Sequence, residues 1–154
     1  MRLSTRARYA LRMMLDLAKH GEGGRLVSLA DIAERTDCSR GYLEQLAAAL
    51  RRQRLIHGVA GKGGGYRLTR APGETTLREI IEASIGRISI LDCLEDASTC
   101  MRADVCECRL VYSLINTRIT QVLDDFTLAD LLDPKLKLRV KLQLGQAREK
   151  ERRQ

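Results

Sequence analysis

Two capped helical runs joined by a short turn constrain this chain more than any other feature. In "SLADIAERTD" Ser28 can cap a helix with Asp31 in its first turn, and Leu29, Ile32 and Ala33 form an inward face. A turn through Thr36, Asp37 and Cys38 follows. Ser39 then caps "SRGYLEQLAAALRRQRLI", in which Leu43, Leu46, Ala47 and Leu50 recur at helical intervals. Helices joined so tightly predict a helix-turn-helix.

The next segment, "LIHGVAGKGGGYRLTR", holds two β-prone runs, 55–59 and 66–69, around a glycine-rich tip. A hairpin directly behind a helix-turn-helix is a wing. The run "GKGGG" is not a nucleotide loop, which needs Gly-Lys followed by Ser or Thr at the head of a helix; Gly63 follows Lys62 here. Ahead of the motif, Leu3, Ala10, Leu11, Met14, Leu15 and Ala18 predict a first helix. That spacing suits a folded domain better than the Arg-rich transit peptide it superficially resembles, and no stretch is apolar enough for a membrane span. Behind the wing, Thr76 and Glu79 form a capping box for a helix carrying Leu77, Ile80, Ile81 and Ile85, which Gly86 ends.

From about Glu107 a long helix is expected, with an apolar stripe through Leu110, Ser113 or Leu114, Thr117, Ile119, Val122 and Leu123. The stripe is too extended for so small a domain to cover, so a second copy of the chain is its expected partner. "FTLADLL" reads as a short helix capped by Thr127 and Asp130 and closed by Pro134. The tail "KLKLRVKLQL" alternates polar and apolar residues, which is a strand signature. It could pair with a partner's sheet edge, lie on an anionic surface, or stay irregular, as "GQAREKERRQ" is expected to.

Charge is partitioned along the chain. Residues 1–90 carry 16 Lys+Arg against 9 Asp+Glu, residues 91–133 carry 3 against 9, and residues 134–154 carry 8 against 2. The basic front suits a polyanion such as nucleic acid, although an Arg-rich solvated surface would look alike.

On the second helix of the motif, Ser39, Arg40, Glu44 and Gln45 occupy the end that meets base edges in such readers. Gln45 can bond an adenine edge twice, and Glu44 can accept from cytosine N4 or pair with Arg40 one turn away. Arg51 and Arg52, with Arg54 behind them, are phosphate contacts that would make binding fall with salt. Lys62 and Gly63 sit at the wing tip, where a cation and close backbone approach serve DNA. Tyr42 and Tyr66 read as packing residues, and His20 and His57, in a turn and a strand, are not expected as ligands. No nucleophile–base set or metal-hydrolase helix is visible, so an enzyme is not expected.

Four of five cysteines, Cys93, Cys100, Cys106 and Cys108, fall within "DCLEDASTCMRADVCECRL". Cys38 lies in the helix-helix turn, where a small core residue is expected. A chain of this length builds its core without disulfides, so clustered thiols in a cytoplasmic protein point to metal or redox chemistry.

The segments "MRLSTRARYALRMMLDLA", "LADIAERTDCSRGYLEQLAAALRRQRLI" and "GKGGGYRLTR", followed by the cysteine loop, resemble the IscR family of dimeric winged-helix regulators, which includes the NsrR type. The resemblance covers residues 1 to 133. It implies an iron-sulfur cluster in the loop, with [2Fe–2S] ahead of [4Fe–4S], that alters operator binding, and a long helix that forms the dimer. Cysteine intervals of six, five and one residues lack the close knuckle usual in zinc sites, which favours a cluster over zinc. The fourth ligand departs from the pattern. The histidine three residues beyond the third cysteine in IscR is Arg109 here, the aspartate NsrR takes from its partner's N-terminal region is Arg8, and Cys108 is the substitute. Cys106 and Cys108 would diverge on one regular helix by about 200°, so both can serve only if the helix begins at or after Cys108; otherwise the fourth position falls to a group from the other subunit or an exchangeable small molecule. The arginine before the wing glycines is replaced by Ala60.

The expected fold is mainly α with a small β wing: a winged helix-turn-helix domain at residues 1–88, a cysteine loop at 89–106, a dimerisation helix and short terminal helix at 107–133, and a basic tail at 134–154. The expected function is sequence-specific binding of double-stranded operator DNA by a homodimer, modulated by a cluster on Cys93, Cys100, Cys106 and Cys108. Structural zinc or a thiol oxidation switch is the alternative.

Overall fold

The computed structural model describes the backbone of residues 4–152 and the side chains of residues 4–145. Helix α1 (Thr5–His20) begins at Ser4, whose hydroxyl accepts from the Ala7 amide, and turns Ala10, Met13, Met14 and Leu17 inward. Leu3, expected on that face, lies outside the described residues. Helix α2 (Leu29–Thr36) is capped by Ser28 through the Asp31 amide. It ends at Asp37, which takes the left-handed conformation (φ 51°) that Asp tolerates better than most residues. This single residue makes the sharp turn into α3 (Arg40–Arg52), capped by Ser39.

Leu43, Leu46, Ala47 and Leu50 of α3 are buried as their spacing predicts, against Met13, Met14, Leu17 and Ile32. The bidentate pair from Arg35 to Asp16, with both N–O distances 2.8 Å, locks α2 to α1 at the edge of this core. Cys38 is half-buried beside it, and burial pushes its thiol pKa up, as a packing residue's should be.

Strands β1 (Ile56–Val59) and β2 (Gly65–Leu68) pair antiparallel, with Ile56 opposite Leu68 and Val59 opposite Gly65. The wing is also anchored at its base, because Val27 and Tyr66 exchange amide-to-carbonyl hydrogen bonds of 2.9 and 2.8 Å. Gly65 permits this approach, since a Cβ there would lie 2.6 Å from the Val27 carbonyl oxygen.

Helix α4 (Leu77–Ile85) has the expected capping box: the Glu79 amide donates to Thr76 Oγ1 at 3.2 Å, and the Thr76 amide to Glu79 Oε2 at 2.9 Å. Its Ile80 and Ile81 are buried while Ile85 is exposed. After the one-turn α5 (Asp92–Glu95) and the remainder of the cysteine loop come α6 (Glu107–Asp124) and α7 (Leu128–Leu132). Helix α7 repeats the capping box with Thr127 and Asp130. The two capped ends meet: the Leu77 amide donates to the Phe126 carbonyl and the Leu128 amide to the Thr75 carbonyl, each at 2.9 Å. This returns the chain to the first domain and puts Leu128 in its core.

The tail departs from expectation. Residues Leu136–Arg152 form helix α8, where alternation predicts a strand and then an irregular end. Lys, Leu, Arg and Gln are good helix formers, and a helix satisfies its own backbone where no sheet edge is available. The alternating residues then divide between two sides, with Leu136 and Val140 half-buried and Leu138 and Leu142 exposed.

Candidate nucleic-acid interface and cysteine loop

Outward from the α3 core face stand Ser39, Arg40, Glu44, Gln45, Arg51 and Arg52, all exposed. Arg40 Nε donates to Glu44 Oε1 at 3.2 Å, so the pairing anticipated for Glu44 is formed in the free chain. An exposed pair of this kind contributes only about 0.3–0.5 kcal/mol, which a competing partner easily exceeds. Arg54, grouped with the helix-end cations by sequence, leaves the helix in the left-handed region (φ 56°).

A cleft of about 410 Å³ separates α3 from the wing, with Arg40, Glu44 and Arg51 on one wall and Gly58, Gly61 and Gly64 on the other. Lys62 and Gly63 are exposed at the wing tip, and Gly63 has a φ of 78° that side chains rarely adopt. The cations and the bare backbone of the wing therefore flank one groove. Sequence reasoning missed the Val27–Tyr66 bridge that fixes the wing's angle, since an isolated bridge has no periodic signature.

The cysteine loop is tied down from α6. Asn116 donates to the Ile88 carbonyl at 3.2 Å and accepts from the Ile90 amide at 3.1 Å, holding the entry to the loop. Arg109 Nε donates to the Cys93 carbonyl at 3.0 Å, holding α5. At about 100° per residue, Arg109, Asn116 and the buried Thr120 share one side of α6. Ile119 and Leu123 fall beside them and are half-buried, so the single apolar stripe expected for this helix is in fact divided. Leu110, Val111, Leu114, Ile115 and Val122 form a separate, exposed side.

All five thiols are free; Cys93 and Cys106 are half-buried, while Cys100 and Cys108 are exposed. Cys106 is the N-cap of α6, with extended backbone (φ −91°, ψ 105°), and Cys108 lies inside the first helical turn. Only Cys108 of the two is therefore helical, so the divergence of about 200° expected for two cysteines on one regular helix does not apply to this pair. Four free thiols within one short loop suit an iron-sulfur cluster chemically, with Cys106 at the positive end of the helix. Among the described residues, however, no three His, Cys, Asp or Glu side chains converge as a metal site.

Helix α6 is bonded to α4, and α4 to α1. Arg78 of α4 donates to Asp124 of α6 at 3.0 Å and to Glu82 at 3.2 Å, and these bonds, Asp124 first, raise the guanidinium's pKa. Arg6 of α1 donates to the Ser84 carbonyl of α4 at 2.6 Å. No described helix is long and apolar enough to cross a membrane.

A model of the family described as "Rrf2: Iron-dependent Transcriptional regulator" matches residues 3–134. The HTH-type transcriptional regulator IscR of Cronobacter sakazakii is 37% identical over 133 residues, covering 86% of this chain and 81% of its own. Among solved structures, CymR, the global cysteine regulator of B. subtilis, superposes with a TM-score of 0.69 at 37% identity, over 85% of this chain and 95% of that one. T. potens IscR does so with 0.65 at 36%, over 86% of each.

Proposed function

This chain belongs to the Rrf2 family of transcriptional regulators, and from that premise we propose that it is a cytoplasmic, dimeric operator-binding protein whose grip on DNA is set by the state of its cysteine loop. Residues 1–88 bind DNA, 89–106 sense, 107–133 bring two chains together and 134–154 form an appended basic tail. The observation that carries the proposal is the two-sided character of α6. One side holds the cysteine loop through Arg109 and Asn116, and the other leaves five large apolar residues bare. Burying each such side chain against a second copy is worth about 1.5–3 kcal/mol.

In this reading Ser39, Arg40, Glu44 and Gln45 enter the major groove, Arg51 and Arg52 contact phosphates, and Lys62 and Gly63 bring the wing to the backbone. Two such heads would engage half-sites about 34 Å apart, so a small change in how α6 holds α4 alters whether both fit. Cys93, Cys100 and Cys106 would hold an iron-sulfur cluster, [2Fe–2S] ahead of [4Fe–4S], with Cys108 as the candidate fourth ligand. When bound, such a cluster supplies a redox-active centre at the N-terminal end of α6. The chain's own contribution is to hold the loop entry through Asn116, hold Cys93 through Arg109, and pass displacement along Arg78 and Arg6.

A second reading is a thiol oxidation switch, favoured by the exposed thiols of Cys100 and Cys108, or structural zinc, which would need the same convergence of ligands as a cluster. Isolation without air separates the two. Protein with stoichiometric iron and sulfide and visible absorption supports the cluster. A colourless, metal-free protein whose operator binding responds to thiol oxidation supports the switch, and zinc in place of iron supports the structural site.

A further inference from the structure

We propose that the first turns of α8 dock across the acidic cysteine loop of a second copy of this chain. The inference rests on the dimer reading of α6 and goes beyond it, because α8 lies past the residues that the family match covers.

Helix α8 is held in place by Arg139, which donates to Asp130 at 2.7 Å and lies 5.3 Å over the Phe126 ring. Leu136 and Val140 are half-buried. Leu138 and Leu142, one turn apart, fall on the other side and are 62% and 60% exposed. Lys135, Lys137 and Lys141 are exposed around them, and no acid occurs in the helix before Glu149. The result is a basic surface that carries two exposed leucines, Leu138 and Leu142.

The loop has the complementary character. Asp92, Glu95, Asp96, Asp104 and Glu107 are all exposed, against the single exposed cation Arg102. Met101 and Val105, which lie among them, are exposed large apolar side chains. A basic, leucine-bearing helix and an acidic, apolar-studded loop suit each other in both charge and hydrophobicity. Both surfaces are bare within one chain, so they do not cover each other there. The topology explains why: the loop leads into the N-terminal end of α6, whereas α7 and α8 follow its C-terminal end, about 27 Å away along 18 residues. Antiparallel packing of two α6 helices about a twofold axis would bring each C-terminal end to the partner's N-terminal end. The tail of each chain would then shelter the other chain's exposed thiols, Cys100 and Cys108.

The test uses full-length chains, light- and heavy-isotope labelled, allowed to exchange subunits, and joined by a zero-length carbodiimide that links lysine to carboxylate. Four of the chain's six lysines lie in the tail, which makes the products easy to assign. The expected result is mixed-isotope peptides joining Lys135, Lys137 or Lys141 to the 92–107 segment. These should drop severalfold in the Leu138→Ser, Leu142→Ser chain, with Cys100 and Cys108 alkylated correspondingly faster. Sedimentation is run on the same samples. A dimer yielding only same-isotope links, or no tail-to-loop links, overturns the docking while leaving the dimer intact. The same holds for tail lysines protected from acetylation only by DNA. A monomer at all concentrations overturns both readings.

Discussion

Arg109 Nε lies 3.0 Å from the carbonyl oxygen of Cys93, bridging the first turn of α6 and the one-turn helix that carries the first loop cysteine. The residue occupying a position that could have been a ligand is therefore a strut, and its charge places a fixed donor beneath the loop. Arg109→Ala is expected to free α5, so that Cys93 is alkylated severalfold faster while the helix content of the chain is unchanged. Equal labelling of Cys93 in both chains would show that the strut does not restrain it.

Glu44 and Arg40 form an exposed pair one turn apart on α3, and such pairs contribute little to stability. Glu44→Ala should leave thermal unfolding nearly unchanged and relax base preference at one operator position, at a cost of about 1–3 kcal/mol for the preferred base. Selection from random-sequence duplexes reads this out. A uniform loss of affinity across all sequences would instead make Glu44 a structural residue.

Arg51 lines the groove, and Arg52 at the end of α3 and Lys62 at the wing tip are exposed. Each phosphate contact contributes about 0.9 to the slope of log affinity against log salt. Neutralising Arg52 or Lys62 with glutamine should lower that slope by about one while leaving sequence preference intact. An unchanged slope removes the residue from the interface.

Asp130 caps α7 and pairs with Arg139, and these bonds, the Thr127 amide first, hold its pKa down to about 2. A carboxylate depressed in the folded state stabilises the fold fully above its unfolded pKa, about 4. That contribution is lost as pH falls from about 4 to about 2. Asp130→Asn should therefore lower stability at neutral pH and flatten its decline across that window, as denaturant titrations at several pH values would reveal. A parallel decline in both chains would assign the acid sensitivity elsewhere.

The helix-turn-helix, its caps and the wing were legible in sequence because each is a local pattern: Ser28, Ser39 and Thr76 cap helices whose apolar spacing is regular over a few turns. The features that orient these parts are pairings between distant residues. Asp16 with Arg35, Val27 with Tyr66 and Asn116 with Ile88 depend on the assembled core, and nothing in either partner's neighbourhood announces them. The tail misled for a different reason. Alternation of Leu136, Leu138, Val140, Leu142 and Leu144 fits a strand, but a helix that divides its leucines between two sides accommodates the same pattern. The loop thiols were legible as a group, while their separation in space was not, because α6 begins at Glu107 and sets Cys106 and Cys108 in different backbone conformations.

The proposed control of DNA binding by the cysteine loop through α6 joins the sensing and reading parts of the chain. It is tested most directly by operator affinity, measured without air on one preparation before and after loss of its iron or oxidation of its thiols, beside the Cys106→Ser chain. Affinity is expected to differ between loop states by about 5- to 150-fold, the usual range of coupling between sites, and Cys106→Ser is expected to abolish the difference while remaining a dimer. Equal affinity in every loop state would contradict that control.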